Sequence, residues 1–132
     1  MRVVTDRLFA MESLDPGKLA SATMSPADES TPPVESDEAA RLASGLDPAW
    51  RVDDHRLARE FRFPTFAAAF GLATRIALLA EAQGHHPQMQ ISWGRLEITW
   101  TTDAIGGLSA NDFIMAAKVD RLVARGLNLK DD

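Results

Sequence analysis

Two adjacent histidines, His85 and His86, stand where a long helical pattern ends and a strand is expected to begin. Imidazole exchanges protons near neutral pH, so either side chain could act as a general acid or base. Neighbouring side chains on extended backbone point apart, so one ring could face a pocket while the other packs. Glu81 lies one helical turn before His85, so its carboxylate is expected to reach that ring. The alternative is that both rings only satisfy carbonyl groups of the loop.

A metal site is not expected around these histidines. The chain has no cysteine, and no second histidine or carboxylate follows at the helical spacing that ligands on one helix face require. His55 stands apart among polar residues, and we interpret it as a solvated turn residue.

Composition excludes several classes of protein. The 132 residues carry a net charge of -5, and the few Lys and Arg residues are scattered, so a nucleic acid is not an expected partner. The longest uncharged apolar run, residues 66–74, is about half of the roughly 20 residues that a membrane span needs, so no membrane partner is expected. The first ten residues lack the apolar core of a signal peptide. We therefore expect a cytoplasmic protein.

Periodicity indicates the elements that must position the histidines. The pattern predicts five elements in order: a helix from Ser36, a hairpin within 50–63, a long helix from Pro64, a second hairpin within 89–100, and a helix capped by Ser109. The apolar face of the long helix is predicted to comprise Phe66, Ala69, Phe70, Ala73, Ile76, Ala77 and Ala80. This order predicts an α+β fold in which three helices pack on one face of a four-stranded antiparallel sheet.

The other face of that sheet would then need cover. Trp50, Trp93 and Trp100, together with the apolar strand residues, lead us to expect a homodimer through a sheet edge or face. Residues 1–35 are rich in Ser and Pro and are predicted to form a flexible arm, because such a composition buries little apolar surface. The domain is expected to span 36–126, with a polar tail at 127–132.

The motifs Glu81-x-x-x-His85-His86-Pro87 and Gly107-Leu108-Ser109-x-x-Asp112, with Trp93 between them, resemble the pterin-4a-carbinolamine dehydratase family. That resemblance implies dehydration of 4a-hydroxytetrahydropterin without a metal or nucleotide cofactor. It also implies a pterin pocket with Glu81 and Asp112 supporting the imidazoles. The residues lining that pocket would be His85, His86, Pro87, Thr102, Asp103, Ala104 and Ile105.

Asp103 departs from the family's pattern, because the third histidine of the family falls at this position. An exposed aspartate is ionised at neutral pH, so it accepts a proton but does not donate one. The substitution therefore predicts a degenerate active site.

A branch of the family with a longer Ser/Pro-rich N-terminus and an incomplete histidine set resembles this chain. The resemblance implies a non-catalytic RuBisCO assembly factor that binds the large subunit, is associated with the alpha-carboxysome, and retains residual pterin binding at most. The alternative is an active 4a-hydroxytetrahydrobiopterin dehydratase in which Asp103 serves as the base and His85 or His86 as the acid. A third hypothesis is a dimerisation cofactor for a transcription factor.

Overall fold

The computed structural model describes residues 14–126, so the predicted polar tail and the first 13 residues of the predicted arm lie outside the described residues. Its helices and strands follow the predicted order. They are α1 (Ser36–Ala43), β1 (Arg51–Val52), β2 (Leu57–Arg62), α2 (Phe66–Gln83), β3 (Gln88–Ser92), β4 (Arg95–Trp100) and α3 (Ala110–Ala124). The strands form one antiparallel sheet in the order β1-β2-β4-β3. The predicted α+β class with a four-stranded antiparallel sheet is confirmed.

The inner face of the sheet is apolar. Along β4 the inward side chains Leu96, Ile98 and Trp100 are fully buried, and the residues between them are half-buried. Leu57 pairs with Trp100, and Phe61 pairs with Leu96, so β2 adds to the same face. Helices α2 and α3 both contact these strands. The core therefore lies between the sheet and the helices, with Trp100 at the end of the central strand β4.

The opposite face of the sheet is polar. Arg95 donates to Glu60 at 2.9 Å, and Arg51 donates to Glu97 at the same distance. The hydrogen bond from Arg95, aided by Arg62, lowers the pKa of the Glu60 carboxyl. Because an antiparallel sheet can leave a polar face in water, this face does not require an apolar partner.

The homodimer stays a prediction, and fewer of the tryptophans that suggested it are exposed. Trp50 and Trp100 are buried within the chain and cannot reach a second copy. Of the three tryptophans, Trp93 alone is available, with 73% of its surface exposed at the turn between β3 and β4.

Helix α2 is held at both ends by the residues that the sequence singles out. The Thr65 hydroxyl accepts the N–H of Ala68, and Gly84 ends the helix in the left-handed conformation at φ 75°. The buried face comprises Ala68, Ala69, Leu72, Ala73, Ile76 and Ala80. The predicted face was wrong for Phe66 and Phe70, which are each 48% exposed. An alanine-rich helix is apolar on several sides, so periodicity alone does not select the buried one.

No helix between residues 14 and 126 has the combination of length and apolar character that crossing a bilayer requires. Helix α2 is the longest of them, at 18 residues.

The flexible arm is not what the structure shows for residues 14–35, which lie against the domain. A short 3-10 helix, Pro16–Ser21, buries Leu19 to 1% exposure. Side chains of α3 hold the backbone of this segment, since Lys118 Nζ donates to the Ala20 carbonyl at 2.9 Å and Asn111 Nδ2 donates to the Ser25 carbonyl at 2.8 Å. Burial lowers the pKa of Lys118. Composition missed this docking because it rests on backbone carbonyls and on one fully buried side chain, Leu19, beside which Leu14, Ala20, Ala22, Met24 and Val34 are only partly buried.

Gly45 shows how closely the segment approaches the domain. A Cβ at this position would lie 1.8 Å from the carbonyl oxygen of Pro16. Only glycine allows the two backbones to come so near, so residues 14–25 and the loop after α1 are packed as one unit.

Candidate functional site

His85 lies directly after the left-handed residue Gly84, where the chain turns from α2 toward β3. Its side chain is 12% exposed, and its Nε2 lies 2.6 Å from Oδ1 of Asp112. The histidine comes from the end of one helix and the aspartate from the first turn of α3. The pair therefore joins two elements that are distant in the sequence.

Asp112 is fully buried and holds three donors. Beside His85 on Oδ1, its Oδ2 accepts the Thr102 hydroxyl at 2.7 Å and the Ser109 N–H at 2.9 Å. The bond from Ser109 belongs to the capping box that starts α3, as predicted from the S-x-x-D pattern. A buried carboxylate is tolerated when its oxygens accept several hydrogen bonds, and this one is fixed from three directions.

This network assigns the proton on His85. An ionised carboxylate accepts hydrogen bonds and donates none, so opposite ionised Asp112 the Nε2 atom of His85 is the donor in the 2.6 Å contact. The Nδ1 atom is then left to take or give a proton elsewhere. Asp112 also compensates the charge of the ring when both nitrogens are protonated.

Thr102 extends the network toward the loop that follows β4. Its hydroxyl donates to Asp112 and lies 2.7 Å from the Ser109 hydroxyl, which is therefore the donor in that second contact. Both side chains are buried at 1% exposure. The loop residue Thr102 is thus part of the buried site rather than of the solvent-facing loop.

The face of the His85 ring rests on Trp100. The two ring centroids are 5.7 Å apart, and the planes are within 11° of parallel. Trp100 is fully buried at the end of β4. The imidazole is therefore held at its Nε2 edge by Asp112 and on one face by an indole.

His86 has a different environment. Its Nε2 lies 2.9 Å from Oε1 of Glu81, and the side chains are 58% and 74% exposed. The prediction that Glu81 reaches His85 was therefore wrong, and Glu81 pairs with His86 instead. The i,i+4 rule holds inside a helix, whereas the left-handed Gly84 redirects the chain before His85.

Asp103 begins a single 3-10 turn, Asp103–Ile105, in the loop after β4. The loop is closed by a bridge between Thr102 and Gly107, and the backbone of His55 accepts the Thr101 hydroxyl at 2.7 Å. Asp103 and Ala104 are exposed, and Ile105 is half-buried. The Asp103 carboxylate directly follows Thr102 in the chain and makes no hydrogen bond within residues 14–126.

Hydrogen bonds connect some of the predicted site residues, and others lie outside that network. His85, Asp112 and Thr102 form one connected network, whereas Glu81 and His86 form a separate pair in solvent. Pro87, half-buried, follows the two histidines directly.

Sequence reasoning missed two members of the site. Trp100 was assigned to a dimer surface, and Ser109 was recognised as a helix cap without its contact to Thr102. The inward position of Trp100 in the alternation of β4 was the available signal for its burial.

Within the described part of the chain, no group of three or more His, Cys, Asp or Glu side chains is arranged to hold a metal ion. A cavity of about 290 Å³ opens elsewhere, and neither His85 nor His86 lines it. Its wall is formed by residues 33–36, 39, 53–55 and 106–108.

Comparison with known proteins shows relatives along most of the chain. A protein from Alkaliphilus metalliredigens that bears the provisional name pterin-4-alpha-carbinolamine dehydratase is 47% identical over 104 residues, covering 78% of this chain and 94% of that one. The crystal structure of a transcriptional coactivator/pterin dehydratase from Brucella melitensis superposes with a TM-score of 0.63 at 30% identity, covering 69% of this chain and 98% of that one.

A third similar protein is a pterin dehydratase-like protein described as a RuBisCO assembly factor in the alpha-carboxysome. It is 26% identical and covers 55% of this chain and 84% of that one, with a TM-score of 0.45. A likeness at that score carries no argument about this chain.

The family model for pterin 4 alpha carbinolamine dehydratase matches residues 32–122, which include both histidines, the loop after β4 and the first turn of α3. With a curated relative at 47% identity along most of its length, the chain belongs to the pterin 4 alpha carbinolamine dehydratase family.

Proposed function

We propose that this protein is a working dehydratase that removes water from 4a-hydroxytetrahydropterin, the substrate that the family resemblance implies. The observation that carries the proposal is the His85–Asp112 pair, in which a 12% exposed imidazole is bound at 2.6 Å to a fully buried carboxylate. The two hydrogen bonds from Thr102 and Ser109 that hold the carboxylate support a maintained proton-transfer site.

The reaction needs one acid and one base. The C4a–O bond breaks as the hydroxyl takes a proton and leaves as water, N5 loses its proton, and the electron pair of the N5–H bond forms the C4a–N5 double bond. We assign His85, through Nδ1, as the acid, because Asp112 occupies Nε2 and compensates the charge of the protonated ring.

In this proposal Asp103 is the general base. Its carboxylate is exposed and follows Thr102, which is hydrogen-bonded to Asp112, so it stands at the edge of the network. An ionised carboxylate accepts the N5 proton without an activating partner. In this proposal the pterin would rest against His86, Glu81 and Pro87. Ala104 and Ile105, in the loop after β4, would complete its contacts.

The test is the rate of 4a-hydroxytetrahydropterin dehydration above the uncatalysed rate. We expect turnover by the wild type, a loss of about 1,000-fold in His85→Ala, and a higher rate in Asp103→His than in the wild type. Asp103→Asn, which removes the base without changing size, is the matched variant and should be slower than the wild type. A wild type without turnover would refute the proposal.

A protein-binding role is the second candidate, in the form of RuBisCO assembly that the resemblance implies. One observation favours it: Phe66, Phe70, Leu78 and Trp93 are large apolar side chains that are between 48% and 73% exposed. Contacts between proteins commonly use such surfaces. The packing of residues 14–25 on α3 weighs against their serving as a free arm that binds a partner.

The second candidate predicts co-purification with the RuBisCO large subunit and a higher yield of active RuBisCO on co-expression. Phe70→Ser should reduce both, whereas His85→Ala should leave both unchanged. Absence of both effects in the wild type would refute it. A cytoplasmic location fits the first candidate, and a carboxysome-associated location fits the second.

A further inference from the structure

Trp100 combines two features that a core side chain rarely has together. Its ring stacks on His85 with the planes within 11° of parallel, and its Nε1–H is buried without an acceptor among residues 14–126. A buried donor without a partner costs stability. Some other contribution of the indole must therefore offset that cost.

Trp100 is the one aromatic side chain among the inward residues of β4. The other two inward residues of β4, Leu96 and Ile98, are aliphatic and equally buried. Trp50, the other buried tryptophan, is different, because its Nε1–H donates to Asp120 at 2.8 Å. What Trp100 provides beyond volume is a large flat face against the imidazole.

The His85 ring needs that face because its hydrogen bond fixes only one atom. The contact at 2.6 Å places Nε2 against Asp112, yet a ring held at Cβ and at Nε2 can still rotate about the line through these two atoms. Rotation about that line changes the direction of the proton on Nδ1. An offset, nearly parallel indole whose centroid lies 5.7 Å from that of the imidazole restricts this rotation on one side of the ring.

We propose that Trp100 is a positioning residue for His85. In this arrangement Asp112 fixes the position of Nε2, and the indole of Trp100 fixes the plane of the imidazole ring. The proposal rests on the proposed dehydration for its kinetic consequence. The structural part of the proposal, that Trp100 sets the ring plane of His85, does not depend on any catalytic activity.

Two substitutions at Trp100 and one elsewhere separate positioning from packing. Trp100→Phe keeps an aromatic face and removes the unpaired N–H, whereas Trp100→Leu keeps an apolar side chain and removes the face. Trp50→Phe is the matched control, since it shortens a buried tryptophan that does not touch His85. All three are measured for kcat, KM, thermal unfolding, and the proton NMR signals of the His85 ring.

The chain has three histidines, so the ring signals of His85 are assigned by their loss in His85→Gln. In the wild type we expect these signals upfield of those of His55, because they lie over the face of an indole. Trp100→Leu should move them downfield and lower kcat about 10-fold with little change in KM, because a misaimed proton slows the chemical step. Trp100→Phe should retain most of the upfield shift and of kcat.

Trp50→Phe should lower the unfolding temperature and leave both kcat and the His85 signals unchanged. The proposal is overturned if the wild-type His85 signals are not shifted upfield, or if folded Trp100→Leu keeps the kcat and the ring signals of the wild type. The first of these outcomes needs no variant to fold. If the wild type shows no turnover, the proposed dehydration fails, and the ring signals alone decide whether Trp100 sets the plane of His85.

Discussion

His85 and His86 are neighbours in the chain, yet they occupy opposite environments. His85 is 12% exposed, bound to a fully buried aspartate and stacked on an indole. His86 is 58% exposed and bound to a glutamate that is itself 74% exposed. The partner of His85 lies 27 positions away in the sequence, and the partner of His86 lies five positions away.

The difference shows how the fold places two identical side chains in different environments. A hydrogen bond in a buried network keeps its geometry and its strength, whereas an ion pair in water is screened and contributes little. His85 is thereby held in one orientation. His86 is less constrained, because its one partner is itself exposed.

The largest expected effect separates the two histidines directly. His85→Ala should lower kcat of pterin dehydration about 1,000-fold, because it removes the positioned acid. His86→Ala should lower it about 10-fold or less, because an exposed ring is replaced more easily by water. Steady-state kinetics of both variants, with circular dichroism to confirm folding, measures the contrast. Equal losses in the two variants would mean that burial does not divide their roles.

The second effect concerns the buried carboxylate. Asp112→Asn should lower kcat about 100-fold, because an amide no longer compensates the charge of protonated His85. The free energy of unfolding in urea should fall by about 2 kcal/mol, because the buried network loses a charge-assisted acceptor.

Asp120→Asn is the matched control for Asp112→Asn. Asp120 also accepts several donors, including Trp50 and Arg59, but it makes no contact with His85. It should reduce stability without changing kcat. A comparable loss of kcat in both variants would show that the effect of Asp112 is general destabilisation.

Thr102→Val should have a smaller effect on the same network. The change keeps the shape of the side chain and deletes the hydroxyl that joins Asp112 to Ser109. We expect a loss of about 1 to 2 kcal/mol in stability, and a fall in kcat of about 10-fold as Asp112 loosens. Thr101→Val, which loses a bond to the His55 carbonyl, should reduce stability without reducing kcat.

Glu81→Gln should have the smallest effect. Because the Glu81–His86 pair is exposed, salt weakens it whenever the ring is protonated, and its removal should change kcat by about twofold or less. The measurement is the salt dependence of kcat in the wild type and in Glu81→Gln. A 100-fold loss in this variant would place His86, rather than His85, at the centre of the chemistry.

Most of the fold could be read from local patterns. The alternation of Leu96, Ile98 and Trp100, the left-handed cap at Gly84 and the capping box at Ser109 each depend on a few neighbouring residues. Local chemistry determines such features, so a single sequence predicts them.

The errors involve contacts between distant parts of the chain. The i,i+4 rule assigned Glu81 to the wrong histidine, because a single left-handed residue changes the direction of the chain beyond it. The stacking of Trp100 on His85 depends on where α2 ends relative to β4, which no spacing encodes. Of the candidate site, the sequence predicted His85, Asp112 and Thr102, whereas the partner of Glu81 and the contact of Trp100 were not predicted.

The docking of residues 14–25 on α3 has a consequence for the order of folding during synthesis. The hydrogen bonds from Asn111 to Ser25 and from Lys118 to Ala20 span 86 and 98 positions. Contacts of such long range form slowly, because a large loop must close first. On the ribosome, Leu19 cannot be buried against α3 until α3 has emerged, so residues 14–25 dock only after the sheet and α2 have been synthesised.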